Sequence, residues 1–411
     1  MSRCPYCTAS ADPLVGNAGT CGSFACLYRH FRGTSPPTAV ATHTPPPWTD
    51  PNAVRRIAVF RPGQLGDLLL AVPGLRALRA AFPAAEIALV AGSWTLDFPS
   101  RFGYIDRVLP LDDPPAPNDD ARLDGANTPF LAEARASDYD LVLQLHGDTP
   151  SAARLALAMG GRATVGFCRD EQIGGRFHLL LPWLPDEPEI LRVLRLADAL
   201  GATPDGVQLE FPPLPTDWEE LEAISGLSAA LPRRPLVVMH PGARAPARRW
   251  PLEGFAKVAR HLQQERGATL VMVGGSEERW LVEEVIQGLA APALNLTGKL
   301  SLGALAALLR RADLFVGNDS GPAQLASAVA PRGLRIFGPA NRRRWAPLDR
   351  CRHRIVYHPV DCSPCDHWEC PIDHRCLRRV SVEEVLAQVD TLLEEASPPD
   401  PYGTRRTEGS G

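Results

Sequence analysis

Three groups of residues in this 411-residue chain have types and spacing suited to chemistry. The first is Val316-Gly317-Asn318-Asp319-Ser320-Gly321-Pro322. The apolar run Asp313-Leu314-Phe315-Val316 reads as a buried parallel strand, and Ala323 to Val329 as the helix after it. Pro322 suits a first helical position, because its missing N–H has no partner there in any case. Asp319 or Ser320 is placed to cap the free amides. The open N–H groups and the helix dipole then direct positive potential to the carboxyl end of the strand, where a phosphate-bearing ligand sits in an open α/β sheet. An ordinary capped strand-to-helix turn has the same residues. The second group is Arg61-Pro62-Gly63-Gln64-Leu65-Gly66-Asp67, which follows the strand Arg56-Ile57-Ala58-Val59-Phe60. Gly63 and Gly66 let the backbone bend and a ligand approach, and Asp67 stands at the carboxyl end of the strand. Capping the next helix is the competing role for Asp67. The third group is cysteine. Cys4, Cys7, Cys21 and Cys26 form two pairs around a 13-residue loop, and Cys362, Cys365, Cys370 and Cys376 lie within fifteen residues that also hold His367 and His374. The first set suits a zinc knuckle or stays as free thiols. The second suits structural zinc, an iron–sulfur cluster, reduced thiols or a redox-sensitive disulfide.

The elements that must position these groups alternate strand and helix. Leu68, Val72, Leu75, Leu78 and Phe82 mark a helix face, and Pro73 is expected to kink that helix or to split off its first turn. Strands are expected at 86–90, 107–109, 139–145 and 164–167, with helices at 152–159 and 189–200. Pro235 to His240 is an apolar strand, Leu252 to Arg266 an amphipathic helix, and Thr269 to Val273 the next strand. Gly274-Gly275-Ser276 caps a helix from Glu277. Residues 294–298 are a short strand, 302–311 a helix, and 334–337 a strand. This alternation indicates parallel sheets and two doubly wound α/β domains in series. The expected division is a Cys-rich knuckle at 1–33, a Pro-rich linker at 34–54, Rossmann-like domains at 55–215 and 216–378, a closing helix at 379–396 and a disordered tail at 397–411. A composition of 45% hydrophobic and 22% charged residues suits a soluble globular protein, and a net charge of −4 leaves no nucleic-acid footprint. With no signal peptide and no apolar run near membrane length, the expected compartment is the cytoplasm, where the ten cysteines are thiols or metal ligands.

Several segments in order resemble glycosyltransferase family 9, the ADP-heptose:lipopolysaccharide heptosyltransferase family. They are Phe60 to Asp67, Leu143-Gln144-Leu145-His146-Gly147, His240-Pro241-Gly242-Ala243, Arg249-Trp250-Pro251, Val273-Gly274-Gly275, Leu296-Thr297-Gly298, Gly317 to Pro322, and Ile336-Phe337-Gly338-Pro339. The resemblance spans about residues 55–396. It implies the GT-B architecture, with two Rossmann-like domains facing across a cleft, the donor on the C-terminal one and the acceptor mainly on the other.

Transfer from a nucleotide-diphosphate sugar needs a base for the acceptor hydroxyl, a positioned anomeric carbon and a stabilised leaving diphosphate. The resemblance makes Asp67 the general base of an inverting transfer. Arg248, in a loop with Arg244 and Arg249, is expected to bind the diphosphate, although the family usually has Lys there. Asp319, Ser320 and Gly321, with Gly242, are expected to hold the donor. Gln324 stands where the family often carries His, so no role is carried over to it. Gly66, His146 and Asp148 are assigned to the acceptor side, with a purely structural role for His146 and Asp148 as the alternative. Arg342-Arg343-Arg344 reads as a solvated charge run, or as a contact for an anionic ligand. No Asp-x-Asp motif is placed for Mg²⁺, so no catalytic cofactor is expected. The expected partners are a nucleotide-sugar donor and a glycan or lipid-linked acceptor at the inner membrane surface. A non-hydrolysing nucleotide-sugar epimerase-like enzyme and a non-enzymatic nucleotide-sugar binding module are the competing functions.

Overall fold

The computed structural model describes residues 46–112, 128–224, 227, 235–289, 291–365 and 367–395. The N-terminal cysteines Cys4, Cys7, Cys21 and Cys26, most of the Pro-rich linker and the C-terminal tail lie outside the described residues. The chain divides into two compact units. One holds residues up to Leu214 together with Asn341–Leu348; the other holds Pro215–Ala340 and the chain from Asp349.

The first unit is built on six parallel strands: β1 (Arg56–Phe60), β2 (Glu86–Ala91), β3 (Arg107–Pro110), β4 (Leu141–Gln144), β5 (Ala163–Gly166) and β6 (Leu179–Leu180). Their order is β3-β2-β1-β4-β5-β6. Near-continuous apolar runs such as Ile57-Ala58-Val59-Phe60 are buried on both faces, as a parallel sheet covered by helices requires. Helix α1 (Leu65–Ala81) follows β1, α2 (Pro150–Ala158) follows β4, and α3 (Glu189–Ala199) packs against α1. Pro73 lies inside α1 and does not split it. The helix is buried at every position from Leu68 to Leu75, so packing holds the turn whose hydrogen bond the proline removes. The two-residue strand β6 is too short to have shown in the sequence pattern.

The second unit repeats the plan. Its strands are β7 (Leu236–His240), β8 (Thr269–Met272), β9 (Leu294–Asn295), β10 (Leu314–Asn318), β11 (Gly333–Phe337) and β12 (His353–Tyr357), all parallel. Their order is β12-β11-β10-β7-β8-β9. Helix α4 (Leu252–Arg266) follows β7, α5 (Arg279–Gln287) follows β8, and α6 (Leu302–Arg311) leads into β10. Helix α7 (Gly321–Val329) follows β10, and α8 (Val382–Glu394) closes the unit. The expected helix from Glu277 instead starts at Arg279, after a tight turn over Ser276–Glu278. That turn forms because the Glu278 carboxylate turns back and accepts from the Gly275 N–H at 2.9 Å.

Both sheets reverse direction at their first strand. In the first unit β1 lies between β2 and β4, and in the second β7 lies between β8 and β10. Ligands of open α/β sheets bind outside the carboxyl ends of strands at such a reversal. The loops that carry the candidate residues leave those strands: residues 61–67 leave β1, 145–149 leave β4, 241–249 leave β7 and 319–320 leave β10.

Candidate functional site

In the first unit, β1 ends in a buried arginine. The Arg61 side chain turns back under the loop, where Nε donates to the Asp67 carbonyl at 3.2 Å and Nη1 donates to the Leu145 carbonyl. Nη1 also meets the Glu189 carboxylate at 2.9 Å, and Nη2 lies 3.7 Å from Asp67 Oδ1. Asp67 sits in the first turn of α1, with Gly66 beside it. Its Oδ2 accepts from the Gln64 N–H at 2.9 Å, so it closes a capping box. The competing structural role is therefore real, and it coexists with a carboxylate whose side chain stays 26% exposed. One oxygen stabilises the helix start while the other remains at the strand's carboxyl end.

His146 and Asp148 flank Gly147, which has φ +69°, a left-handed turn that favours glycine. The turn is fixed by Gln144, whose amide donates to the carbonyls of Gly147 and Phe167 while its oxygen accepts from the His146 N–H. Burial pushes the His146 imidazole down, and the negative charge of Asp67 pulls it the other way. Asp67 and His146 thus act on one another at the sheet reversal. Asp148 is half-buried, and its carbonyl accepts from the Arg169 N–H at 2.9 Å.

Behind these residues lies a charged hub centred on Glu189. This carboxylate is 1% exposed and meets Arg61, Arg192 and Arg344, the last at 2.7 Å. Burial works against its charge, but the three guanidiniums hold the carboxyl down at about 2. Arg192 and Arg344 both lie over the Trp183 ring, at 3.7 and 4.9 Å from its centre. Arg343 pairs with Asp186 at 2.9 Å. Arg344 is therefore a structural ion-pair partner, a correction to the expected solvated charge run, while Arg343, with 46% of its side chain exposed, stays solvated. Their partners lie more than 150 positions earlier in the chain, and no local pattern announces that.

In the second unit the site is built around the end of β10. Asn318 is fully buried. Its Oδ1 accepts from the Trp250 N–H at 2.9 Å, and its amide donates to the carbonyls of Pro241 and Gly242. One side chain thereby joins the loops that leave β7 and β10. Asp319 is 4% exposed and lies 3.5 Å from both Arg248 Nη1 and Arg335 Nη1. Burial pushes its carboxyl up, against the pull of Arg335 and Arg248. Arg335 is itself buried, and also donates to the Ala323 carbonyl, Gln324 Oε1 and Ser327 Oγ. Arg248 closes the tight turn Pro246–Arg248 and keeps 37% of its side chain exposed. Arg249 donates to the Ala243 carbonyl, and the Arg244 guanidinium lies 5.8 Å from the centre of the Trp368 ring.

Ser320 holds the N-cap position of α7, yet its side chain makes no capping hydrogen bond, contrary to the expected cap. Its Oγ lies 3.2 Å from His240 Nδ1, and His240 Nε2 lies 3.0 Å from Glu278 Oε2. In the neutral ring Nε2 donates to Glu278, so Nδ1 accepts from the Ser320 hydroxyl. Drawing the hydroxyl to one side leaves the first amides of α7 without a side-chain cap. Burial opposes the charge on Glu278, but the His240 hydrogen bond, the Gly275 amide and Arg249 hold its carboxyl below the usual range. Gly242 makes room for this carboxylate. A Cβ at that position would lie 2.0 Å from Glu278 Oε1.

The second unit therefore brings Gly242, Arg248, Asp319, Ser320 and Gly321 together at its sheet reversal, and the first does the same for Gly66, Asp67, His146 and Asp148. Glu278, Arg335, Arg61 and Glu189 were missed as site residues. Glu278 sits in a Glu-Glu pair that reads as a solvated helix start. Arg61 and Glu189 pair with each other across a long stretch of sequence, and Arg335 meets Asp319 through the register of neighbouring strands. Cys362, Cys365, Cys370 and Cys376 carry free thiols.

Two units of the same Rossmann order, each with its polar residues where the sheet reverses, define a protein of the GT-B class. A model of glycosyltransferase family 9 (heptosyltransferase) matches residues 130–375, and the chain belongs to that family. It is 31% identical over 163 residues to lipooligosaccharide heptosyltransferase 2 of Campylobacter jejuni, a match covering 38% of this chain and 51% of that protein. The chain thus spans about half the length of the first curated relatives it matches. It is 26% identical to lipopolysaccharide heptosyltransferase 3 of Escherichia coli K12, over 81% of this chain and 96% of that one. The solved structure of the E. coli ADP-heptose LPS heptosyltransferase II shares the fold, with a TM-score of 0.65 and 22% identity over 82% of this chain and 98% of that one. Among the described residues no helix is long and apolar enough to cross a membrane.

Proposed function

We propose that the protein is an inverting heptosyltransferase that moves a heptose from ADP-heptose to a lipopolysaccharide-core acceptor. The observation that carries this reading is the N-terminus of α7, which the Ser320 side chain does not cap and beside which Arg248 lies against Asp319. Backbone amides, the helix dipole and a guanidinium with an exposed face together suit a diphosphate. The likeness to heptosyltransferases in both sequence and fold supports heptose as the sugar and ADP as its carrier.

In the reaction Asp67 takes the proton of the acceptor hydroxyl as its oxygen attacks the anomeric carbon. The bond from that carbon to the β-phosphate oxygen breaks, and ADP departs with the electron pair. Arg248 and the α7 amides meet the charge that develops on the diphosphate, in place of a divalent ion. Asp319 and Arg335 hold Arg248 and the start of α7 in register. A lipid-linked acceptor places this step at the cytoplasmic face of the inner membrane.

The test is to incubate the full chain with ADP-heptose and heptose-free lipopolysaccharide, with added Mg²⁺ present and absent. The expected result is one heptose added per ADP released, the opposite anomeric configuration in the product, and the same rate without Mg²⁺. ADP release without acceptor gain refutes the transfer and favours a hydrolytic enzyme, and conversion of the donor to an epimeric ADP-sugar without net ADP release favours an epimerase-like one. ADP-heptose binding without turnover leaves a binding module. A retained configuration refutes the single displacement.

A further inference from the structure

The Cys-rich segment has no part in that reaction; it is an irregular, largely exposed loop in which only Cys376 of the four cysteines is buried. Cys362, Cys365, Cys370 and Cys376 line a single cavity of about 60 Å³, together with His367 and His374. Cys376 is buried at the foot of the cavity, and the His374 N–H donates to Cys370 Sγ at 3.3 Å. His374 takes a left-handed backbone conformation, with φ 53°, to make that bond. Its Nε2 is buried with no hydrogen-bond partner. A buried imidazole nitrogen without a partner is costly, and in a set of thiols it marks a group missing from the cavity. Among the described residues no three His, Cys, Asp or Glu side chains are grouped closely enough to hold a metal ion. Four thiolates on a tetrahedral metal lie at roughly 2.3 Å each, so binding requires the sulfurs to move inward.

We propose that Cys362, Cys365, Cys370 and Cys376 bind one thiophilic divalent metal ion of the zinc class. His374 Nε2 then donates a hydrogen bond to a thiolate, as outer partners of metal ligands do. The role of the metal is structural, and it acts on a particular loop. The segment is tied to the end of β11, where the Cys365 N–H donates to the Pro339 carbonyl at 2.8 Å and Ser363 Oγ donates to the Gly338 carbonyl at 3.2 Å. On its other side the Trp368 carbonyl accepts from the Ala247 N–H at 3.1 Å. Ala247 lies in the turn that carries Arg248. The metal therefore clamps the Arg248 turn to the end of β11.

The full chain is purified without chelator and its metal content measured by mass spectrometry beside a Cys362→Ser/Cys365→Ser variant, a His374→Ala variant and a Cys168→Ser control. A Cys4→Ser/Cys7→Ser variant assigns any second equivalent. The expected result is one equivalent of zinc or iron that the Cys362/Cys365 variant loses, the Cys168 and Cys4/Cys7 variants keep, and the His374 variant holds about ten-fold more weakly. Loading with Co²⁺ is expected to give the charge-transfer and ligand-field bands of a tetrahedral thiolate site. Hydrogen exchange at the Ala247 amide is expected to speed up about ten-fold on metal removal while the β10 amides stay protected. That second readout separates loss of the clamp from general unfolding. Metal retained in the Cys362/Cys365 variant, no metal in a folded wild type even after Zn²⁺ addition, or inorganic sulfide in equal amount overturns the proposal.

Discussion

Replacing Asp67 by Asn tests the proposed base while sparing its structural duty. The wild-type carboxylate accepts from the Gln64 N–H at 2.9 Å, and an amide oxygen can do the same. The substitution loses the 3.7 Å contact to Arg61, which keeps its pairing to Glu189 at 2.9 Å and its bond to the Leu145 carbonyl. A contact of that length beside a partly exposed carboxylate is worth about 1 kcal/mol or less. Asp67→Asn is thus expected to move Tm by no more than about 4 °C, using the usual relation for a unit of this size. Asp67→Ala also removes the cap, which costs a further ~0.5–2 kcal/mol. The chemical effect should be far larger. A general base contributes about 10²–10⁴-fold, which is ~3–5 kcal/mol of barrier. The assay is initial-rate transfer with saturating donor, paired with thermal melts of wild type, Asn and Ala. The expected pattern is two equally slow variants with different Tm values. An Asn variant within about three-fold of wild-type kcat refutes the base assignment. A rate loss that tracks Tm across the two variants shows that the capping box is what the mutations remove.

Arg248→Ala is expected to weaken ADP binding by roughly 10–150-fold, the equivalent of one charge-assisted contact of ~1.5–3 kcal/mol, with Lys recovering part of it; calorimetric titration with ADP reads this directly. Arg335→Met leaves Asp319 buried with Arg248 as its remaining cation, and should lower the unfolding free energy by about 3–5 kcal/mol in urea titrations; a loss under ~1 kcal/mol contradicts the buried ion pair. Glu189 has its carboxyl lowered to about 2 in the fold from its ordinary value of 4.5. The unfolded state therefore binds the proton first as pH falls, so the contribution is full above about pH 4.5 and is lost towards pH 2. It amounts to about 3 kcal/mol, and melts across that window should show the loss. Glu189→Gln should remove that acid dependence, at the cost of lower stability near neutrality, where Arg61, Arg192 and Arg344 lose their shared partner.

What the sequence made legible follows from where information about a contact is stored. The strand ends could be read because β1, β7 and β10 are apolar runs closed by glycine or proline, which placed Asp67, Gly242 and Asp319 at carboxyl ends. The parallel, doubly wound class could also be read, because strand and helix alternate; the order of the strands in each sheet could not. Charged residues inside the fold were not legible. Glu189 looks like an acidic first turn of an amphipathic helix, and nothing nearby shows that Arg61, 128 positions earlier, will reach it. Arg335 lies in a strand whose neighbours are apolar, and only the register of β10 against β11 reveals that it ends beneath Asp319. Ser320 was misread for a related reason. Its type and position fit a cap, but the hydroxyl is taken by His240, a residue 80 positions away.

The two units show how one topology serves opposite electrostatic tasks. Each has the same strand order and places its loops at the same reversal, so the backbone supplies helix amides to both. What differs is how those amides are used. In the first unit the Asp67 carboxylate accepts from the Gln64 N–H at the start of α1, and the Arg61–Glu189 hub supplies positive charge from below. A carboxylate held this way is fixed at the carboxyl end of β1. In the second unit the hydroxyl that would cap α7 is drawn aside by the His240–Glu278 pair, and the amides stay open beside Arg248. Closing the first helix start and leaving the second open is thus a matter of a few side chains on a shared frame. The same logic explains why Glu278 and Glu189 are buried at the cost of desolvation. Glu189 fixes Arg61, Arg192 and Arg344, and Glu278 fixes His240 and the Gly275 amide.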